Sequence, residues 1–487
     1  MSERLVSSVH RLLDEAEVLL RDPYSSRVPE LRARLDGPLR VAIAGKVKAG
    51  KSTLLNALVG EKVAPTDAGE CTRVVTWYRN SHVYRVTAVG FEGPPVELRF
   101  RRTEDALEVD LDGRIADQIR YLDVEWPSER LRDMVLIDTP GLASISEDVS
   151  RRTEHFLASD EEGPGDADAV IYLLRHLHPM DLSFLEAFRD TIGTRGASVN
   201  SIAVLSRADE IGASRTNALQ AAERVAVRYR EDPRIELLCQ VVVPVAGLIA
   251  QAAPALREDE TNALRLLAGL PRHQVTSLLL STRRFIGRPA PPGLERDIRE
   301  RLLDRLGLFG VRLAVELLVA ERVGTTGDLA RDLERRSGIL ELRELLAGQF
   351  TSRSSVLKAR STLATILSLA DLQGGPQARR LRDLVRDIEN AEHQLVEIRL
   401  LSQLKAGQAG LGDDAREARR VLGGGGPDPF LRLGLPPEAG PAAVREAAIA
   451  TIGRWRMLAE DPLMAKDGRD IASGVIRTCE ELAVSGT

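Results

Sequence analysis

Residues 45–52 read Gly-Lys-Val-Lys-Ala-Gly-Lys-Ser, and no other stretch of the 487-residue chain narrows its fold as far. The apolar run Leu39–Ala44 ahead of it reads as a buried strand, and Thr53–Leu58 behind it reads as an amphipathic helix. A G-x-x-x-x-G-K-S loop between strand and helix is a phosphate cradle. Gly45 and Gly50 let the backbone turn its N–H groups inward around an anion, and the helix N-terminus adds partial positive charge. The expected phosphate-binding set is therefore Gly45, Val47, Lys48, Ala49 and Gly50, followed by Lys51, Ser52 and Thr53. Lys51 is placed to reach the β- and γ-phosphates and Ser52 to ligate Mg²⁺. The fold class that carries such a loop is α/β.

A phosphate loop does not name its nucleotide, and the chain downstream supplies the elements that do. Leu136-Ile137-Asp138-Thr139-Pro140-Gly141 ends an apolar strand in D-x-x-G, where Asp138 is expected to hold Mg²⁺ through water and the Gly141 N–H to meet the γ-phosphate. The strand Val199–Leu205 ends in Ser206-Arg207-Ala208-Asp209, a variant of the guanine-reading N/T-K-x-D. The Asp209 carboxylate can accept from guanine N1–H and N2–H₂, which adenine does not offer. Arg207 replaces the usual Lys and can lay its stem along the base. Alone, this tetrapeptide is equally a helix start capped by Ser206 or Asp209; its register with the other motifs favours guanine. Val241–Pro244 then leads into Val245-Ala246-Gly247, a strand end whose backbone amides, those of Val245 and Ala246 among them, are expected at guanine O6. Between the phosphate loop and D-x-x-G, the polar segment 61–70 sits where a first switch belongs. Thr72 is the candidate Mg²⁺ ligand when the γ-phosphate is present, and Thr66 its competitor. The polar stretch 144–165 suits a second switch. His176 and His178 are read as exposed loop residues, because no partner ligands stand near them.

A net charge of −5 with 4% aromatic residues argues against a nucleic-acid partner. Cys71, Cys239 and Cys479 are too scattered for a disulfide framework or zinc cluster and suit a reducing cytoplasm. The first twenty-one residues carry Glu3, Arg4, Arg11, Asp14, Glu15 and Glu17, which is neither a signal peptide nor a span, and no stretch has eighteen uncharged apolar residues. The expected location is cytoplasmic, with any membrane contact peripheral, at the inner face of the plasma membrane.

The organisation follows from periodicity. Leu5, Val9, Leu12, Leu13, Ala16 and Leu20 give residues 1–36 an amphipathic helical character, broken near Asp22-Pro23. The run 74–78 reads as a strand after the first switch, and runs at 83–89, 96–100 and 122–125 read as additional strands that extend the sheet beyond a minimal nucleotide domain. After residue 352 the chain is helical. Leu381, Leu384, Ile388, Ala391, Leu395 and Ile398 step 3, 4, 3, 4, 3 and predict a two-heptad seam. Gly423–Gly426 and Pro427 read as a flexible joint. The following Phe430–Leu435 segment is read as a linker docking Phe430 and Leu433 on the bundle, with a lipid-touching tip as the alternative.

With these motifs placed, the chain resembles the bacterial dynamin-like GTPases, most closely the actinobacterial isoniazid-inducible (Ini) family, IniC type. The resemblance rests on the segments 45–53, 64–73, 124–127, 138–141, 206–212 and 243–247. It implies a P-loop GTPase domain, with an extended mixed sheet and helices on both faces, standing on an α-helical trunk. Residues 1–36 would be the N-terminal segment of the trunk, 37–352 the GTPase domain with a helical insertion at about 248–336, and 353–487 the C-terminal trunk. Ser337-Gly338-Ile339 looks like the opening of the last GTPase helix. Also implied are hydrolysis of GTP to GDP and phosphate with Mg²⁺, a homodimer or a heterodimer with a related dynamin-like GTPase across the nucleotide face, and peripheral lipid contact with membrane remodelling. A soluble regulatory or assembly GTPase of the ribosome- or RNA-associated type is the alternative. The acidic charge and absence of a basic RNA module weigh against it, and the lack of a lipid anchor keeps it open.

The resemblance also shows a departure. Leu142 stands where a Ras-like GTPase places Gln, and Val47 and Lys48 stand where dynamin-like proteins have the Gln and Ser of their phosphate loop. The Lys48 ammonium is expected to act as a cationic finger in cis, as an Arg does at this loop position in guanylate-binding proteins, with the Thr72 backbone positioning water. The catalytic set is then Lys48, Lys51 and Thr72, and the Mg²⁺ set Ser52, Thr72 and Asp138.

Overall fold

The computed structural model describes residues 2–64, 74–103, 107–111, 118–140, 167–191, 199–212, 217–289, 292–320, 323–405 and 411–485. Its strands are β1 Leu39–Gly45, β2 Thr76–Asn80, β3 Arg85–Gly90, β4 Val96–Glu97, β5 Arg99–Arg102, β6 Leu107–Asp110, β7 Ile119–Trp126, β8 Met134–Asp138, β9 Ala169–Leu174, β10 Ser201–Ser206 and β11 Val242–Val245. Nine of them form one sheet in the order β11-β10-β9-β1-β8-β2-β7-β3-β4. From β11 to β8 all pairings are parallel; β2 then runs antiparallel to β8, and β3 antiparallel to β7. The mixed half is the extension anticipated from the extra strand runs. The run at 96–100 divides between two sheets. The Leu98 N–H still donates to the Val86 carbonyl (2.8 Å), whereas Arg99 begins a separate hairpin of β5 with β6.

Alternation along the strands divides the core into two layers, because successive side chains leave a strand on opposite faces. Val41 and Ile43 of β1, Leu136 of β8 and Ile171 and Leu173 of β9 face one layer of helices. Ala42, Ala44, Ile137, Val170 and Tyr172 face the other. The first layer contains α1 Ser2–Leu19, α2 Val28–Asp36 and α3 Lys51–Val59; the second contains α4 Pro179–Thr191, α5 Ala218–Arg230 and α6 Pro233–Leu238. Residues 247–336 carry a core of their own, built from α7 Gly247–Ala252, α8 Glu258–Ala268, α9 Arg272–Leu278, α10 Thr282–Gly287, α11 Arg296–Val319 and α12 Thr326–Arg336. The long α11 kinks at Gly307.

The chain returns to the sheet through α13 Ile339–Leu345, and Arg343 donates from Nη2 to the Ala57 carbonyl at 2.8 Å, satisfying a C-terminal acceptor of α3. A π-helical turn, Leu346–Phe350, then leads into α14 Ser354–Gln373 and α15 Gly375–Ala391. Helix α1 packs against both, in the same apolar core as the first layer. A further core joins α16 His393–Lys405, α17 Asp414–Val421, α18 Pro429–Leu433, α19 Pro441–Ala459 and α20 Lys466–Ser485.

Two expectations for this helical part are corrected. The predicted seam is not one helix: α15 ends at Ala391, which is exposed, and Glu392 is extended (ψ 106°) before α16 begins. The buried Glu392 carboxylate accepts from Ser8 Oγ at 2.9 Å, so a polar tie to α1 coincides with the break that divides the heptads. Nor is Gly423–Gly426 a flexible joint. The Gly424 N–H donates to the Arg419 carbonyl (2.7 Å) and Gly423 N–H to that of Arg420 (3.0 Å), capping α17, while the buried Arg353 guanidinium bonds the Gly423 carbonyl. Leu433 is buried and Phe430 packs half-buried against the same core, which is the docked arrangement rather than the tip. Among the described residues, no helix is long and apolar enough to cross a membrane.

Candidate functional site

The phosphate loop leaves β1 at Gly45, whose φ of +149° and close approach to β9 both demand glycine: a Cβ there would lie 2.9 Å from the Leu173 carbonyl oxygen. The loop turns through an Ala49 N–H to Lys46 carbonyl bond of 3.1 Å and enters α3 at Gly50, itself at positive φ. Lys48 is exposed and holds a left-handed φ of 62°, uncommon for a side-chain-bearing residue. The side chain of Val47 is likewise exposed. Lys51 Nζ folds back along the loop and donates to the carbonyls of Gly45 (3.2 Å) and Lys46 (3.4 Å). Burial pulls its pKa below the ordinary lysine value, against the opposing pull of the Asp138 charge.

Asp138 is the last residue of β8 and stands beside Ile43 in the parallel pairing with β1, so strand register brings D-x-x-G to the phosphate loop. Ser52 Oγ donates to Asp138 Oδ2 at 3.1 Å. Asp138 Oδ1 is buried and has no hydrogen-bond partner among the described residues. Burial raises the Asp138 pKa, opposed by the charge of Lys51 and the bond from Ser52. A hydroxyl, a carboxylate oxygen already bonded to it and a second, orphaned carboxylate oxygen form the hard oxygen donor set that Mg²⁺ takes. The residues present fit that ion. Thr72, Thr66, Gly141, Leu142 and the stretch 144–165 lie outside the described residues.

On the other side of Gly50, β10 ends at Ser206, whose Oγ donates to the Leu174 carbonyl at 3.1 Å. Arg207 takes a left-handed conformation and pairs with Glu210 at 2.7 Å, and the turn buries Asp209 to 7% exposure. That burial raises the Asp209 pKa. A pocket of about 110 Å³ opens here, bounded by Gly50 and Thr53 of the phosphate loop and α3, by Ser206, Arg207 and Asp209, and by Val245, Gly247 and Leu248. Ala246 does not serve as expected: its N–H donates to the Ser337 carbonyl at 2.9 Å, tying the pocket wall to the turn before α13. Gly247, part of the anticipated strand end, lines the pocket, whereas Leu248, which also lines it, was not anticipated, since nothing local distinguishes the start of a short helix as a pocket wall.

Lys46 Nζ, half-exposed on the flank of the loop, meets Asp181 Oδ2 at 3.3 Å. The one sequence signal for Asp181 is an acidic residue in the first turn of a helix, which by itself points to capping. His176 and His178 are exposed, and His178 Nδ1 faces the Met180 N–H at 3.2 Å, within the start of α4.

A phosphate-loop motif and the pocket beside it, at the carboxyl ends of adjoining parallel strands in a sheet extended by antiparallel strands, match the GTPase domain of the dynamin class. Residues 41–205 match the model of the dynamin family. The chain belongs to that family as a bacterial dynamin-like protein of the IniC type: it is 40% identical over 438 residues to the isoniazid-induced protein IniC of Mycobacterium tuberculosis, covering 90% of this chain and 88% of that one. A bacterial dynamin-like protein of Nostoc punctiforme is 29% identical over 174 residues, 34% of this chain and 24% of its own. Among solved structures, an oligomerised bacterial dynamin pair described as sensing and tethering membranes aligns over 99% of this chain and 74% of its own. At 13% identity and a TM-score of 0.32, that alignment supports no detail.

Proposed function

We propose that this protein binds GTP with Mg²⁺ and hydrolyses it to GDP and phosphate, pairing through its nucleotide face with a second copy or with a related dynamin-like GTPase, and that turnover is coupled to a membrane surface. The observation that carries the nucleotide reading is the meeting, on either side of Gly50, of the Lys51–Ser52–Asp138 cluster and the pocket floored by Asp209. Lys51 would release the loop carbonyls to bind the phosphates. Ser52 and Asp138 would hold Mg²⁺, which supplies neutralising charge between the β- and γ-phosphates when bound. Asp209, buried in the pocket lining, would accept from the guanine N1–H and N2–H₂.

Calorimetric titration with GTP and ATP tests the reading. GTP is expected to bind more tightly, and Asp209→Asn to weaken it ~10–100-fold, the scale of losing bonds to a charged group, while improving xanthosine triphosphate binding. Lys51→Ala should remove phosphate binding. Equal affinity of the wild type for GTP and ATP would overturn guanine recognition.

A further inference from the structure

Behind the phosphate loop, on the face of the sheet opposite α3, lies a buried carboxylate to which the nucleotide reading gives no role. Asp181, in the first turn of α4, is 2% exposed. Its Oδ1 accepts from the Tyr172 hydroxyl at 2.9 Å; its Oδ2 accepts from the His178 N–H at 3.0 Å and from Lys46 Nζ at 3.3 Å. Burial and the neighbouring Asp181 charge both raise the Tyr172 pKa, so the phenol stays a donor. An ionised carboxylate this far from water is costly unless it is paired and fully bonded, and among the described residues the cation bonded to it comes from the phosphate loop.

Lys46 is held at both ends. Its side chain is drawn back to Asp181, and its carbonyl accepts the Ala49 N–H that closes the loop's turn and the Nζ of Lys51. Tyr172 belongs to β9, the strand whose Leu173 carbonyl forbids any side chain at Gly45. The root of the loop is thus clamped on its backbone by β9 and on its side chain by α4.

We propose that Asp181 is a positioning residue for nucleotide binding: through Lys46 it sets the turn of the phosphate loop before the nucleotide arrives, so that binding does not have to order the loop. The inference rests on reading residues 45–52 as the phosphate site. It also divides the loop's charges. Lys46 neutralises Asp181 behind the loop, and Lys48 and Lys51 remain for the phosphates.

The test is a double-mutant cycle on the full chain, read as the Kd for GTP and GDP by calorimetry. Asp181→Asn and Lys46→Met are each expected to raise both Kd values about tenfold, the scale of one charge-assisted bond, and the double variant to raise them no further. Lys46→Arg keeps the cation and should restore affinity to within about twofold. Tyr172→Phe removes a donor from the same carboxylate without touching the loop; it should lower Tm and leave Kd unchanged, which separates positioning from general destabilisation. If Asp181→Asn does not fold, Lys46→Met and Lys46→Arg, whose side chain is partly exposed, carry the test alone. Unchanged affinity in Lys46→Met, or additive effects of the two substitutions, would overturn the inference while leaving the nucleotide reading intact. A wild type that binds neither GTP nor GDP would overturn both.

Discussion

Lys48 holds the least comfortable backbone of the phosphate loop, and its side chain points into solvent rather than into the loop. A left-handed conformation costs a side-chain-bearing residue roughly 1–2 kcal/mol, and glycine would relieve it. A lysine kept at that cost suits a cation that must stand clear of the loop until a second surface presses it onto the phosphates. A cationic finger is worth ~10³–10⁵ in rate, so specific activity is expected to climb with protein concentration and Lys48→Ala to lose that climb while binding GTP normally. Lys48→Gly should lose it too and gain stability. Turnover per protomer measured against concentration, with and without potassium, checks this. Full stimulated activity in Lys48→Ala, or potassium-dependent wild-type turnover, would remove the finger. The placement of Lys51, Ser52 and Asp138 was legible in the sequence because Lys51 and Ser52 open α3 directly after the glycine loop and Asp138 ends β8, positions whose neighbours dictate the backbone. Lys46 was not legible, because its partner lies 135 residues away and resembles an ordinary helix cap.

At the scale of elements, the turn between α12 and α13 decides how the pocket beside Gly50 is walled. Gly338 has φ +82°, and a Cβ there would sit 2.2 Å from the Pro244 carbonyl oxygen, at the end of β11. One residue earlier, the Ser337 carbonyl takes the Ala246 N–H. Gly338→Ala therefore meets both an unfavourable φ and a backbone collision, and is expected to cost more than ~2 kcal/mol of stability in chemical denaturation. Because the displaced turn carries the wall with it, GTP affinity should fall as well. Wild-type stability in this variant would show that α13 is not seated on β11 as described. The same scale explains why the strands were easier to anticipate than the helical seam. Alternation along a strand reports its two buried faces directly, whereas a 3–4 spacing of apolar residues persists across a helix break. The extended backbone of Glu392, where its carboxylate is tied to Ser8, shows that α15 and α16 are two helices.

Over the whole molecule, the bundle of α16–α20 rests against the GTPase domain at α6. Lys405 Nζ donates to the Cys239 carbonyl at 3.2 Å and Arg419 pairs with Glu236 at 3.5 Å; burial draws the Lys405 pKa down to about 8. The turn between α19 and α20 carries Leu463, 93% exposed, and Met457 near the end of α19 is 70% exposed. We expect these side chains, rather than the packed Phe430 and Leu433, to meet a membrane. Replacing Leu463 and Met457 by Ser should reduce co-sedimentation with anionic liposomes and leave solution turnover unchanged, whereas Phe430→Ser with Leu433→Ser should lower Tm through loss of core. If the wild type never pellets, in any nucleotide state and with a related partner present, the soluble regulatory alternative replaces the membrane reading. The sequence by itself determined the α/β class, the phosphate loop, the strand ends that carry Asp138 and Asp209, and the helical character of the C-terminal part. Those are properties of contiguous residues, where glycine, apolar runs and capping groups constrain the backbone locally. Only the tertiary structure decided which distant groups meet: Asp181 behind Lys46, Ser337 on Ala246, and the bundle on α6. Each pairing joins segments far apart in the chain, and burial of charge and polar backbone, which local sequence does not encode, selects it.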